Sequence, residues 1–250
     1  MRYFAIVLAC LPFLTIAQSP GHTDFFASIK QYDLSKLWSA DSLLSQDDGL
    51  KFPFPESLGF IGNNFQRFCI HYLTVRKSET NPYVYDVTGK TRVRNAICRF
   101  SGTITIVGAM MNKQSYKPPY KEGSVDAIVR FYEDSTQPGS GSIKGKLISE
   151  FCINRKNELQ YDAILLAADG YSNNQATTVW KSYKTGVAKI CNWGDYRIPG
   201  SRGLDVGAGV FYVDEKYIRY GWETYYKANG PHSPEAAKAR AIEAREWWKD

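Results

Sequence analysis

The chain has 250 residues, 44% of them hydrophobic and 22% charged, which is enough apolar material to bury a sizeable core and excludes a disordered chain. Its 31 Lys+Arg against 25 Asp+Glu give a formal charge of +6, but the basic residues are scattered beside acidic neighbours. That distribution argues against nucleic acid as a partner, which requires a clustered basic stripe with interleaved aromatics.

Residues 1–19 read as a secretory signal peptide: one Arg, an uncharged apolar run from Tyr3 to Ile16, then the small residues Thr15 and Ala17. The run is too short to span a bilayer as a stable helix, and no longer one follows, so the protein is not expected to be transmembrane. The mature chain is expected to begin near Gln18 and to be secreted or periplasmic. Export also frames the cysteines. Cys10 leaves with the leader, and Cys69, Cys98, Cys152 and Cys191 remain. An even count in an exported chain predicts a disulfide framework. Three full pairings are open, with Cys69–Cys98 and Cys152–Cys191 the expected pairs and free buried thiols the alternative. No C-x-x-C occurs and His22, His71 and His232 do not fall at ligand spacing, so no metal or cofactor is expected.

Residues 20–64 form a helical and extended arm. Phe25, Phe26, Ile29, Leu34, Leu37, Trp38, Leu43 and Leu44 recur at roughly helical spacing behind the caps Asp24 and Asp33. Phe52-Pro53-Phe54-Pro55 then forces extended backbone. One or two short helices packed outside a β domain are expected. From 65 to 226 the pattern changes to runs rich in Val, Ile, Tyr, Phe and Thr between turn residues, at 65–76, 83–94, 97–107, 125–132, 143–153, 159–167, 177–183 and 187–193. Alternation is clean where Cys98, Phe100, Gly102, Ile104 and Ile106 face one way, and again at Val125, Ala127, Val129 and Phe131. Strands with one apolar face must close on themselves or pair with a second sheet. The fold class is therefore mostly β: an antiparallel barrel of about eight strands, with a β-sandwich as the alternative. Residues 211–226 supply a last strand or short helix. Within 227–250, Ser233-Pro234-Glu235 caps a C-terminal helix.

The strand set, the exported context and Gly170-Tyr171-Ser172-Asn173-Asn174 leading into Val179-Trp180 resemble lipocalin-like β-barrels of exported bacterial proteins of unassigned function. The resemblance covers about 65–193. The Gly-x-Trp that lipocalins place in the first strand has no counterpart there, because Trp180 lies late and follows Thr178-Val179. What the resemblance implies is a small barrel with a mouth, and no functional residue is carried across.

Chemistry concentrates in Cys191-Asn192-Trp193-Gly194-Asp195-Tyr196-Arg197. Aromatic planes stack on a ligand while an acid and a guanidinium orient its polar groups, so Trp180, Trp193, Asp195, Tyr196 and Arg197 are the candidate ligand-binding residues. A purely structural loop is the competing reading. Asp169–Asn174 offers oxygen-bearing side chains but lacks the alternating acids and closing Glu of a calcium loop. His71 shares a strand face with Cys69, yet neighbours so close seldom reach catalytic geometry. No Gly-x-Ser-x-Gly or His-Glu-x-x-His is present, and no catalytic residue is assigned. The expected function is a secreted, non-enzymatic β-barrel holding a small apolar or carbohydrate ligand. The alternatives are an extracellular glycan hydrolase using paired acids among Asp162, Asp169, Asp195 and Asp205, and a protein-interaction or adhesion module.

Overall fold

The computed structural model describes residues 21–249, and the expected leader at 1–19, with Cys10, lies outside them; the eight expected runs become eight strands, 159–167 cut back to its first three residues, and four further short strands form within the arm at 20–64, twelve in all. In chain order they are β1 (His22–Asp24), β2 (Ser42–Leu44), β3 (Lys51–Pro53), β4 (Leu58–Ile61), β5 (Gln66–Lys77), β6 (Val84–Val93), β7 (Ala96–Asn112), β8 (Lys121–Glu133), β9 (Gly141–Ile153), β10 (Leu159–Tyr161), β11 (Asn173–Ser182) and β12 (Ala188–Asp195). Helices α1 (Phe26–Ile29), α2 (Glu223–Ala228) and α3 (Pro234–Glu243) flank them. The protein is mostly β and antiparallel. Eight strands, β4 to β9 with β11 and β12, pair neighbour to neighbour, and β12 returns to β4 to close the ring. The ring is not evenly disposed round one axis. Short β1 extends β7 and short β10 extends β9 beyond the ring.

Inward side chains fill the middle of the ring. Phe100 and Phe131 have ring centroids 4.8 Å apart, Tyr72 lies 5.8 Å from Phe131, and Trp193 6.0 Å from Phe68. Each large apolar side chain so buried stabilises by about 1.5–3 kcal/mol. The arm stoppers one end of the ring instead of packing along its outside. Ile29, Leu34, Leu37 and Trp38 are all buried, Trp38 meets Tyr85 edge-on at 5.1 Å, and the Tyr85 hydroxyl accepts from Leu34 N at 3.0 Å. We call this end the base. The open end of a barrel exposes core rings and strand termini, and the apolar stripe of the arm covers both. A second core lies outside β4, where Phe60 joins Ile198, Leu204, Phe211, Val213 and Trp222. Residues 215–220 form a 3-10 turn running into α2, so 211–226 holds short helices after an isolated bridge from Val213 to Asp205 rather than a last strand. Ser233 caps α3 by accepting from Ala236 N, with Pro234 in the first turn.

The expected disulfides are not formed: Cys69, Cys98, Cys152 and Cys191 are free thiols. The topology explains this. Cys69 on β5 sits opposite Arg92 on β6, and the adjacent Thr91 sits opposite Cys98 on β7. A whole strand separates the two, about 10 Å against the limit of about 7 Å between Cα atoms in a disulfide. Cys152 and Cys191 are likewise separated by β11. Their levels differ as well, since Gly145 of β9 is the residue opposite Thr178, whose hydroxyl bonds Cys191 O. We expect iodoacetamide to label all four thiols in denatured, unreduced protein. In the native state Cys69 alone of these should react readily, because the other three are buried. Mass spectrometry of labelled peptides reads both results, and a mass two protons short for any cysteine pair contradicts them.

Candidate functional site

At the end opposite the base the ring opens. There the ends of β6 and β8 and the starts of β5, β7 and β12 surround a cavity of about 820 Å³, with Phe68 on its floor. Period-two alternation along β8 carries the inward face from Phe131 to Glu133, so a carboxylate lands inside the rim. Glu133 is buried, and accepts from Thr91 Oγ1 at 2.5 Å, Gly141 N at 2.7 Å and Trp180 Nε1 at 2.9 Å. A buried acceptor left unpaired costs about 1–3 kcal/mol, and three donors remove that penalty. The same bonds hold the Trp180 indole in one orientation. Gly141 permits this, for a Cβ there would meet Trp180 Cε2 at 2.6 Å. Lys189 places its ammonium 5.7 Å from the centroid of Trp180, and Arg94 adds a second cation to the cavity lining. Cys98 also lines the cavity, but burial, and then the charges of Glu133 and Asp134, push its thiol up to about 11. A thiol so raised holds little thiolate at neutral pH.

The five expected binding residues do not form one face. Trp180 stands at the mouth. Trp193 is fully buried in the barrel, and Asp195 is buried at the base. Tyr196 packs edge-on against Tyr171 at 5.2 Å outside the ring. Arg197 holds its own loop together through Asp205 at 2.7 Å, Gly207 O and Ala208 O. The expected surface fails because its residues belong to a strand end and a turn that point in different directions. The four candidate acids are dispersed too. Asp162 accepts from Ile164 N, exposed Asp169 sits beside Gly209, Asp195 is internal, and Asp205 is paired with Arg197. In the Asp169–Asn174 loop, Asn173 bonds Glu150 N and Asn174 turns inward. His71 stacks on Trp248 at 3.8 Å and lies 2.7 Å from Glu56, on the outside of the ring.

Asp195 is the hub of a buried chain of hydrogen bonds. It accepts from Ser57 Oγ (2.7 Å), Asn174 Nδ2 (2.7 Å) and the Tyr161 hydroxyl (3.0 Å). Asn174 also donates to Leu37 O and accepts from Ser149, which in turn accepts from Trp38 Nε1. Compared with protein-family models, curated proteins and solved structures, the chain matches none of them.

Burial pushes the Asp195 carboxyl up to about 7, against the pull of its three donors. Burial likewise raises Glu150 to about 7, aided by Asp162, and Asp162 to about 6. An acid raised on folding binds its proton more tightly in the native state. Its stabilisation is complete below the unfolded value near pH 4 and is lost as pH rises to about 7. Urea unfolding should therefore give a midpoint that falls across that window, and Asp195→Asn should flatten the slope. Trp193→Ala should cost about 3–5 kcal/mol in the same assay, because it empties a packed interior; an unchanged midpoint contradicts that placement.

Proposed function

We propose that this is an exported, non-enzymatic binding protein of lipocalin-like architecture that holds a small ligand, apolar or carbohydrate, in the mouth of the barrel. The observation that carries the reading is an open cavity of about 820 Å³ above a filled core, with Trp180 clamped by Glu133 on its wall. Small-molecule sites are concave, mostly apolar and of about 300–1,000 Å³, with a few fixed polar groups. The immobilised indole is 9% exposed, and the part of it that lines the cavity offers apolar contact at little entropic cost, with Glu133 and Thr91 supplying acceptors beside it. The ligand class follows from that pairing: a body that stacks or fills apolar space, with hydroxyl or amine donors at one edge. Hydrolysis of a glycan requires two facing carboxylates, and Glu133 stands at the mouth without an acidic partner in the cavity lining.

The test begins with native mass spectrometry of protein purified from its own secretory compartment, which should show a retained small molecule. The neutral dye N-phenylnaphthylamine then serves as an apolar probe and a panel of oligosaccharides as the polar one. Trp180→Ala should weaken whichever binds by roughly thirtyfold, the loss of about 2 kcal/mol typical of an aromatic anchor. Tyr196→Ala should leave binding unchanged. Equal affinity in wild type and Trp180→Ala, with both folded by circular dichroism, would refute the mouth as the site.

A further inference from the structure

A second cavity, of about 530 Å³, lies outside the ring between the outer face of β5–β6 and helices α2 and α3. Parity puts Arg67 and Cys69 of β5 on that outer face, with Arg92 of β6 directly opposite Cys69. Arg94 follows at the end of the same edge, and α3 brings Arg240 over the top. Four guanidinium groups thus line one partly open space, Arg94 and Arg240 at its exposed rim, together with two carboxylates, Glu56 and Glu243.

Both carboxylates are already engaged. Glu243 takes Arg67 in a two-pronged pair at 2.8 and 2.5 Å, and Thr224 adds a third bond. Glu56 faces His71. The remaining three guanidinium groups make no ion pair with a carboxylate among the described residues. Arg92 donates to the Cys69 sulfur at 3.5 Å and stacks over Trp247 at 4.9 Å. Arg94 bonds Gln66 Oε1, and Arg240 bonds Ala228 O. Each keeps free N–H donors, and like charges held together in a partly enclosed space raise the free energy of the empty site. Arg67 is stapled between Trp222 and Tyr225 at 5.4 and 5.6 Å, so one wall of the cavity is rigid. Forked donors lining one volume suit the planar or tetrahedral oxygens of an oxyanion.

We propose that this cavity is an oxyanion site that takes a phosphate, sulfate or multiply carboxylated group of a small molecule, held by Arg92, Arg94 and Arg240. The cavity volume exceeds that of a bare ion, leaving room for the body of the ligand against Trp247 and Tyr225.

Calorimetric titration at constant ionic strength, with sodium chloride as the control anion, uses inorganic phosphate, sulfate and citrate as separate probes. At least one should bind saturably, and the preferred probe separates tetrahedral from carboxylate ligands. Arg92→Gln and Arg240→Gln should each weaken it roughly tenfold, the loss expected of one charge-assisted hydrogen bond. Lys146→Gln, on the far face of the ring, should not. Arg240 is exposed on α3, so its variant reports even if Arg92→Gln disturbs the packing of Trp247. Binding by none of the three anions, or undiminished binding to folded Arg240→Gln, overturns the proposal.

Discussion

Closure of the ring through β4 is the constraint on which the other features depend. Seven long strands can form a curved sheet, but without a partner for both β5 and β12 that sheet ends in two open edges, each a template for unwanted pairing. Four residues join them. Leu58 to Ile61 pair with Cys69 to Gln66 on one side and with Gly194 to Cys191 on the other. Gly59 faces inward, where any Cβ would press on Phe68 and on backbone at 3.0–3.1 Å, so the two flanking strands can draw close around it. Outward-facing Phe60 seeds the second core that anchors the segment leading to α2. One short strand therefore closes the barrel, permits its interior and docks its C-terminal part.

Closure creates two ends, and each holds a buried carboxylate with three protein donors. The donors differ in origin. Those of Glu133 come from β6, β9 and β11, all staves of the ring, so the rim is rigid with no help from the flanking segments. Those of Asp195 reach across to Ser57 and Tyr161, and through Asn174 to the arm. The base is consequently sealed by a polar network whose hub carboxyl is pushed up to about 7 by burial, and the mouth is braced and open. That asymmetry makes one end a stopper and the other a candidate site.

The ring was legible in the sequence because its strands alternate cleanly, and the same alternation reached further than the residues singled out from it. Extending Val125, Ala127, Val129 and Phe131 by one step arrives at Glu133, and extending Cys191 and Trp193 arrives at Asp195; parity predicts both carboxylates inside. The disulfides illustrate the opposite error. Compartment and an even count favour pairing, yet a meander in which consecutive strands are neighbours already puts one run between Cys69 and Cys98 and two, 159–167 and 177–183, between Cys152 and Cys191. Topology overrides composition there. What periodicity could not reveal was β4, too short to alternate and hidden behind Pro53 and Pro55, and the base-plugging role of the arm, which depends on a tertiary opening that no local pattern encodes. The arginine cavity was equally hidden, since its groups come from β5, β6 and α3 and are far apart in sequence.

Depth along the barrel, rather than residue type, separates a structural tryptophan from a candidate binding one. Trp180 and Trp193 both point inward, on adjacent strands. Trp193 pairs with Ala176 of β11 and Gly59 of β4, at a level where Phe68 and Phe131 surround it. Trp180 lies four residues beyond Ala176 on β11, about 13 Å nearer the mouth at the rise of a strand, and its neighbours there are Lys189 and the carboxylate of Glu133. An indole needs a partner for its N–H when buried, and at that level the partner is an acid on the wall of an open cavity. The same ring type thus completes the core at one depth and lines the open cavity, its N–H held by an acid, at the other.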